Sequence, residues 1–172
     1  MLRIWSWNVN RRHLWDRLGN SEVDVALLQE APVPSGPWED KVVPYPTTDW
    51  RTAGGSQSCR TAIVAVSERT LLEPRPLTSI EEGAPGALLV SRFGTLAAAD
   101  VVVDGERITL VSMYAVWESS PTGHRPSNIY ADASAHRLLS DLSGIVNDAR
   151  SHRVIAAGDL NVLHGYGEHG DT

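Results

Sequence analysis

Apolar residues fall into short runs along the chain, separated by Gly, Pro, Asn and Asp. Runs of about four to eight residues bounded in this way read as strands. Residues 2–8 alternate Leu2, Ile4 and Ser6 against Arg3, Trp5 and Trp7, the period of two that a strand requires. A short helix is expected over residues 11–18, closing at Gly19-Asn20. Val23 to Leu28 is an unbroken apolar strand that delivers Gln29-Glu30 at its end, and Ala31 to Pro46, rich in proline, reads as a loop. Gly54-Gly55-Ser56 is a second loop before the strand Thr61 to Val66. Residues 87–93 and 95–103 read as two strands. Asp104-Gly105 is a hairpin turn signal, so Arg107 to Tyr114 is expected to pair with Leu96 to Val103. Glu118 to Tyr130 reads as a loop. Leu138, Leu139, Leu142, Ile145, Val146 and Ala149 recur at helical spacing and predict an amphipathic helix over residues 133–150. Arg153 to Ala157 closes the pattern with the β-branched start and short length of a buried strand.

Polar groups gather where these runs stop. Asn8 follows the first strand, Glu30 the second, Tyr114 the hairpin strand, and Asp159 with Asn161 the last, in the segment Gly158-Asp159-Leu160-Asn161. Asp159 and Asn161, two apart at a strand end, would point the same way. Gly158 beside them would let the backbone turn and a ligand approach closely. If these ends share one edge, two carboxylates, two amides and a phenol converge. An all-oxygen set of that kind suits Mg²⁺ or Mn²⁺, whereas zinc more often recruits His or Cys.

Composition narrows the picture. The 172 residues are 42% hydrophobic and 21% charged, the balance of a folded globular domain. Net charge is −6 and Lys41 is the only lysine, which argues against wide electrostatic capture of long nucleic acid. A bound cation would still let an acidic chain hold a phosphate, and Arg11, Arg12 and Arg60 are candidates for a local phosphate patch. Cys59 stands alone, so no internal disulfide partner exists. No run reaches the roughly 20 apolar residues of a membrane span, and the first residues lack a leader's apolar core. A cytoplasmic monomer is expected. The histidines carry little: His124, His136 and His152 read as surface or capping residues, and His164 and His169 with Glu168 lie in a Gly-rich tail unsuited to a rigid zinc site. Trp5 and Trp7 read as packing, and Trp117 as packing or a stacking platform.

The pieces RIWSWNVN, DVALLQE, GGSQSCRTAIVAVS, ITLVSMYAVW and RVIAAGDLN, in this order and spacing, resemble the endonuclease/exonuclease/phosphatase superfamily. This fold is shared by pancreatic deoxyribonuclease, apurinic endonucleases, sphingomyelinases and inositol-phosphate 5-phosphatases. The resemblance covers nearly all of the chain. It implies an α/β fold: a two-sheet, largely antiparallel β-sandwich with outer helices, four layers in αββα order. It also implies one domain over residues 1–172 and a divalent-metal-dependent phosphoesterase. Glu30 resembles the principal metal ligand and Asn8 the amide that organises metal and phosphate. Tyr114 stands where the family contacts the scissile phosphate. Asp159 resembles the acid that orients or deprotonates the attacking water, and Asn161 the amide that holds water and phosphate. The family's later Asp-containing strand and terminal Ser-Asp-His segment have no counterpart here, so the last strands are expected to be missing. Two-sheet sandwiches commonly run to about 200–250 residues, and this chain reads as the first two thirds of one. An inactive, truncated or degenerate domain that binds phosphate or a partner is therefore the competing reading. The substrate class, nucleic acid included, is left open.

Overall fold

The computed structural model describes residues 1–44, 51–52, 55–56, 59–116, 127–148 and 153–162. In chain order the elements are β1 (Ile4–Asn8), α1 (Trp15–Gly19), β2 (Val25–Pro32), a 3-10 turn (Gly36–Lys41), β3 (Val42–Val43), β4 (Arg51–Thr52), β5 (Gly55–Ser56) and β6 (Cys59–Ala65). They continue as β7 (Glu73–Pro74), β8 (Leu77–Ser79), β9 (Leu88–Val90), β10 (Leu96–Val103), β11 (Glu106–Tyr114), α2 (Ser127–Asp148) and β12 (Arg153–Asp159).

Two four-stranded sheets form, in the orders β1-β2-β6-β3 and β12-β11-β10-β7. Three apolar clusters show how they stack. Ala26 and Leu28 of β2 with Ala62 and Val64 of β6 pack against Leu14, Trp15 and Leu18 around α1. The intervening residues Val25, Leu27, Ile63 and Ala65 face the other way, onto Ala97, Ala99, Val101 and Leu110 of the second sheet. Leu96, Ala98, Val111 and Met113 then turn outward, onto Leu138, Leu142 and Ile145 of α2. The layers therefore run α, β, β, α. Strands covered on both faces must be apolar at every position, which is why VALL and AIVA read as continuous runs.

Within each main sheet one pair is parallel: β1 with β2, and β11 with β12. The other pairings in these sheets are antiparallel. The hairpin has the expected register, Leu96 opposite Met113 through Val103 opposite Glu106. Its turn residues Asp104 and Gly105 both have positive φ, as a primed two-residue turn requires.

Several expectations are corrected. The first helix is confined to Trp15–Gly19, because Asn10 and Arg11 take positive φ and cannot join a helix. The expected loop from Ala31 contains the end of β2, the 3-10 turn and β3, and Gly55–Ser56 pairs with Arg51–Thr52. Of the expected strand 87–93, Leu88–Val90 pairs, in parallel with Leu77–Ser79. Helix α2 begins at Ser127, inside the stretch read as a loop. Its buried stripe is Ala135, Leu138, Leu142 and Ile145, while Leu139 and Val146 are exposed on its flank. The last strand reaches Asp159 and is not buried: Ile155 and Ala156 are exposed, and among the described residues β12 is the edge of its sheet. No helix among the described residues is long and apolar enough to cross a membrane.

Candidate active site

Antiparallel strands end at opposite edges of a sheet, whereas parallel neighbours end together. Each parallel pair thus brings two C-terminal ends side by side: Asn8 lies opposite Gln29, one residue before Glu30, and Tyr114 lies opposite Asp159. The two sheets then face these ends toward one another.

Local features aim the side chains. The β2–β6 register shifts between Leu28 and Ala31, and Glu30 within that bulge has φ 51°. A bulge re-aims one side chain, and a left-handed glutamate is a strained conformation typical of functional positions. Gln29 just before it is buried and donates from Nε2 to Ser112 Oγ (3.0 Å) and to the Leu27 carbonyl (3.1 Å). Ser112 Oγ in turn donates to the Leu28 carbonyl at 2.8 Å. These bonds bolt β11 to β2 directly beneath Glu30.

Asn8 is the hub of the site. Its Nδ2 donates to Asp159 Oδ2 at 2.7 Å and to Glu30 Oε1 at 3.2 Å, while its Oδ1 accepts from the Asn10 backbone at 2.9 Å. The Tyr114 hydroxyl donates to the same Glu30 oxygen at 3.0 Å. Asp159 Oδ1 accepts from the Asn161 backbone N–H at 2.9 Å, and Asn161 Nδ2 donates to the Ala115 carbonyl at 2.5 Å. Asn161 lies past the strand with φ 51°, so this Asx-type turn, not strand alternation, sets its relation to Asp159. Burial pushes the Tyr114 phenol up to about 12, reinforced by the charge of Glu30 and its hydrogen bond to it. It is a neutral donor at ordinary pH.

Gly158 has a different role from the one expected. A Cβ there would strike the Met113 carbonyl of β11, so what needs the glycine is the neighbouring backbone, not a ligand. All five predicted site residues, Asn8, Glu30, Tyr114, Asp159 and Asn161, are brought into one cluster. Arg11, expected as part of a local phosphate patch, places Nε 3.3 Å from Glu30 Oε2. Arg60 and Arg92 line a pocket with Arg11, Glu30 and Tyr114, and Arg12 does not line it. Arg92 carried no sequence signal, since one arginine in a turn segment is unremarkable. Cys59 is buried beside Arg11, and burial raises its thiol pKa, which disfavours a nucleophilic thiolate. His136 is exposed on α2. Trp117, His124, His152, His164, Glu168 and His169 lie outside the described residues.

No group of three or more His, Cys, Asp or Glu side chains that could hold a metal occurs among the described residues. Two carboxylates joined through one amide do fit Mg²⁺, which typically takes one or two protein carboxylates and completes its shell with water and phosphate oxygens.

Comparison with known proteins bears on the fold that carries these residues. D. rerio TDP2 carrying 14 humanising mutations is 21% identical with a TM-score of 0.56, matching 95% of this chain and 64% of that one. D. rerio TDP2 complexed with a single-strand DNA product is 19% identical with a TM-score of 0.52, over 95% and 62%. An AP endonuclease from Archaeoglobus fulgidus is 22% identical with a TM-score of 0.51, over 94% and 58%. The chain thus spans about three fifths of the length of these structures, and at such identities the likeness is one of fold. No curated protein sequence matches. The model of the Endonuclease/Exonuclease/phosphatase family matches residues 5–172, from within β1 to the last residue. With nearly its whole length matched and the fold shared, the chain belongs to the endonuclease/exonuclease/phosphatase family.

Proposed function

We propose that the chain, acting as one domain, is a divalent-metal-dependent phosphoesterase that directs water onto phosphorus. The observation that carries this reading is the Asn8 amide bridging Glu30 and Asp159 from opposite sheets. Such a bridge holds two acids in register at the strand ends and gives each a separate task.

Glu30 is the residue to hold Mg²⁺ or Mn²⁺, with Asn8 beside it. In the present arrangement Asn8 offers its NH₂ to both carboxylates, so it acts first as a spacer, and ligation would require its Oδ1 to turn inward. When bound, the cation supplies Lewis-acid polarisation of a phosphoryl oxygen and offsets charge on the leaving oxygen. Asp159, fixed by Asn8 and by the Asn161 backbone, accepts a proton from the attacking water as the new P–O bond forms and the ester P–O bond breaks. Asn161 and the neutral Tyr114 hydroxyl are donors for phosphate oxygens. No covalent enzyme intermediate is needed. Nucleic acid is a candidate substrate, since a structural neighbour holds a single-strand DNA product. The net charge of −6 favours short or local engagement over tracking along a duplex.

The test is hydrolysis of bis(p-nitrophenyl) phosphate with and without Mg²⁺. Glu30→Gln and Asp159→Asn should each lower kcat/KM by about 10²–10⁴-fold. Independently, Mg²⁺ at 100 times its Kd should stabilise the folded chain by about 2.7 kcal/mol, and Glu30→Gln should remove that gain. Undiminished hydrolysis in either variant would overturn the assignment.

A further inference from the structure

We propose that Gln29 and Ser112 are positioning residues whose hydrogen-bonded pair, clamped between the sheets beneath Glu30, sets which divalent cation the site prefers. This rests on the phosphoesterase reading, in which Glu30 holds the cation, and adds what selects that cation.

The layer between the sheets is apolar until it reaches the site. Val25 and Leu27 of β2 and Leu110 of β11 pack there. By alternation the next inward positions on these two strands are Gln29 and Ser112, which are 1% and 0% exposed. An apolar pair would continue the layer at lower desolvation cost, so what distinguishes these two residues is the bonds they make. Gln29 Nε2 donates to Ser112 Oγ across the sheets at 3.0 Å and to the Leu27 carbonyl at 3.1 Å, and it reaches Ser6 Oγ of β1 at 3.5 Å. Ser112 Oγ donates to the Leu28 carbonyl at 2.8 Å. One hydroxyl on β11 therefore accepts from β2 and donates back to it.

The bulge needs such an anchor. Pairing of β2 with β6 passes from Leu28 to Ala31, so the β6 ladder holds neither Gln29 nor Glu30. A glutamate keeps a φ of 51° only where its surroundings impose it. Here the Gln29 side chain fixes the residue before it, and the Val9 and Arg11 N–H groups hold the Gln29 and Glu30 carbonyls at 2.9 and 3.1 Å. The clamp also acts across the site. Glu30 belongs to one sheet and Asp159 to the other, so the spacing fixed by the Gln29–Ser112 bond governs the spacing of the two carboxylates. Mg²⁺ demands short bonds in near-octahedral array, whereas Ca²⁺ accepts longer and more variable ones. A rigid pair of carboxylates favours the smaller ion, and a loosened pair loses that preference.

The experiment is calorimetric titration of Mg²⁺ and of Ca²⁺ into the full chain, without substrate. Gln29→Met and Ser112→Ala should each weaken Mg²⁺ binding by roughly tenfold or more, the range seen for groups that support metal ligands, while Ca²⁺ binding changes much less. Ser112→Thr keeps the hydroxyl and should keep the parent's Mg²⁺-to-Ca²⁺ ratio. Leu142→Ala, on the α2 side of the second sheet, controls for lost stability: its urea midpoint should fall and its ratio should not move. If the parent binds Mg²⁺ and hydrolyses no phosphodiester, yet Gln29→Met and Ser112→Ala erase the ratio, the phosphoesterase reading fails and the clamp stands. If hydrolysis is Mg²⁺-dependent but both variants keep the parent's ratio, the clamp is overturned and the reading stands. A ratio that Leu142→Ala shifts as far, or that Ser112→Thr loses as Ser112→Ala does, also overturns the clamp. A parent that binds neither cation overturns both.

Discussion

Replacing Gly158 with alanine tests the site through a residue constrained by the backbone of the neighbouring strand. Gly158 lies opposite Met113 in the parallel β11–β12 pair, immediately before Asp159. An added Cβ would meet the Met113 carbonyl oxygen and sit 2.7 Å from its carbonyl carbon and 2.8 Å from its nitrogen, inside the 3.0 Å that real Cβ atoms keep. These are backbone atoms, so no rotamer relieves the clash and the strands must part. Clearing the carbon needs 0.3 Å, and the oxygen, closer still, needs more. Asp159 depends on bonds of 2.7 Å to Asn8 and 2.9 Å to Asn161. A shift of about half an ångström stretches the first to the roughly 3.2 Å limit of a good hydrogen bond and takes the second beyond it. Overpacking of this kind costs about 1–3 kcal/mol, and a displacement near 1 Å at a reacting group can cost about 100-fold in rate. Gly158→Ala should therefore lower the urea midpoint and depress kcat in the molecules still folded. Ala156→Ser, at an exposed position of the same strand, should stay within about 0.5 kcal/mol of the parent. A Gly158→Ala protein with the parent's midpoint and the parent's activity would refute the account of why glycine stands there.

Two further outcomes follow from the same structure. Because the Tyr114 pKa is raised to about 12 from an unfolded value near 10, the native state holds that proton longer than the unfolded chain does. Stability from this group is complete below about pH 10 and is lost as pH climbs toward 12. Urea midpoints over that interval should fall more steeply for the parent than for Tyr114→Phe, and parallel slopes would contradict it. Ile155 is 39% exposed on the β12 edge, and a lysine at an open edge discourages strand-to-strand association. Ile155→Lys should reduce concentration-dependent light scattering, and no change would show that this edge does not drive association.

The sequence was most legible where a strand's composition and its destination coincided. VALL and AIVA had to be covered on both faces, and the hairpin at Asp104-Gly105 had its register set by the turn. Asn8, Glu30, Tyr114 and Asp159 stood out because each ends a recognisable run. What was hidden depends on contacts distant in sequence. An exposed edge and a buried strand share the same composition, so nothing in Val154 to Ala157 marked β12 as half-exposed. Leu139 and Val146 fit a helical stripe, but only the packing of α2 shows that they lie on its flank. The glycine of Gly158-Asp159 looked like room for a ligand, and only the position of Met113 shows what fills that room. Arg92 is silent because a pocket gathers residues by tertiary proximity.

The parallel pairs explain why this fold makes such a site at all. A sheet of hairpins alone would send Asn8 and Glu30, or Tyr114 and Asp159, to opposite edges. The chain avoids this by crossing over between β1 and β2 through α1, and between β11 and β12 through α2, so each pair runs the same way. The same helices cover the outer faces of the two sheets. Fold stability and site assembly thus draw on the same elements. The inter-sheet bonds run in a line from the core outward: Ser112 to Leu28, Gln29 to Ser112, Tyr114 to Glu30, then Asn8 from its sheet to Asp159 on the other. Sliding one sheet over the other would break all of them together. The distance between the two carboxylates is therefore set by the packing of the apolar layer between the sheets, and substitutions at Leu27, Ile63 or Leu110 should register in catalysis as well as in stability.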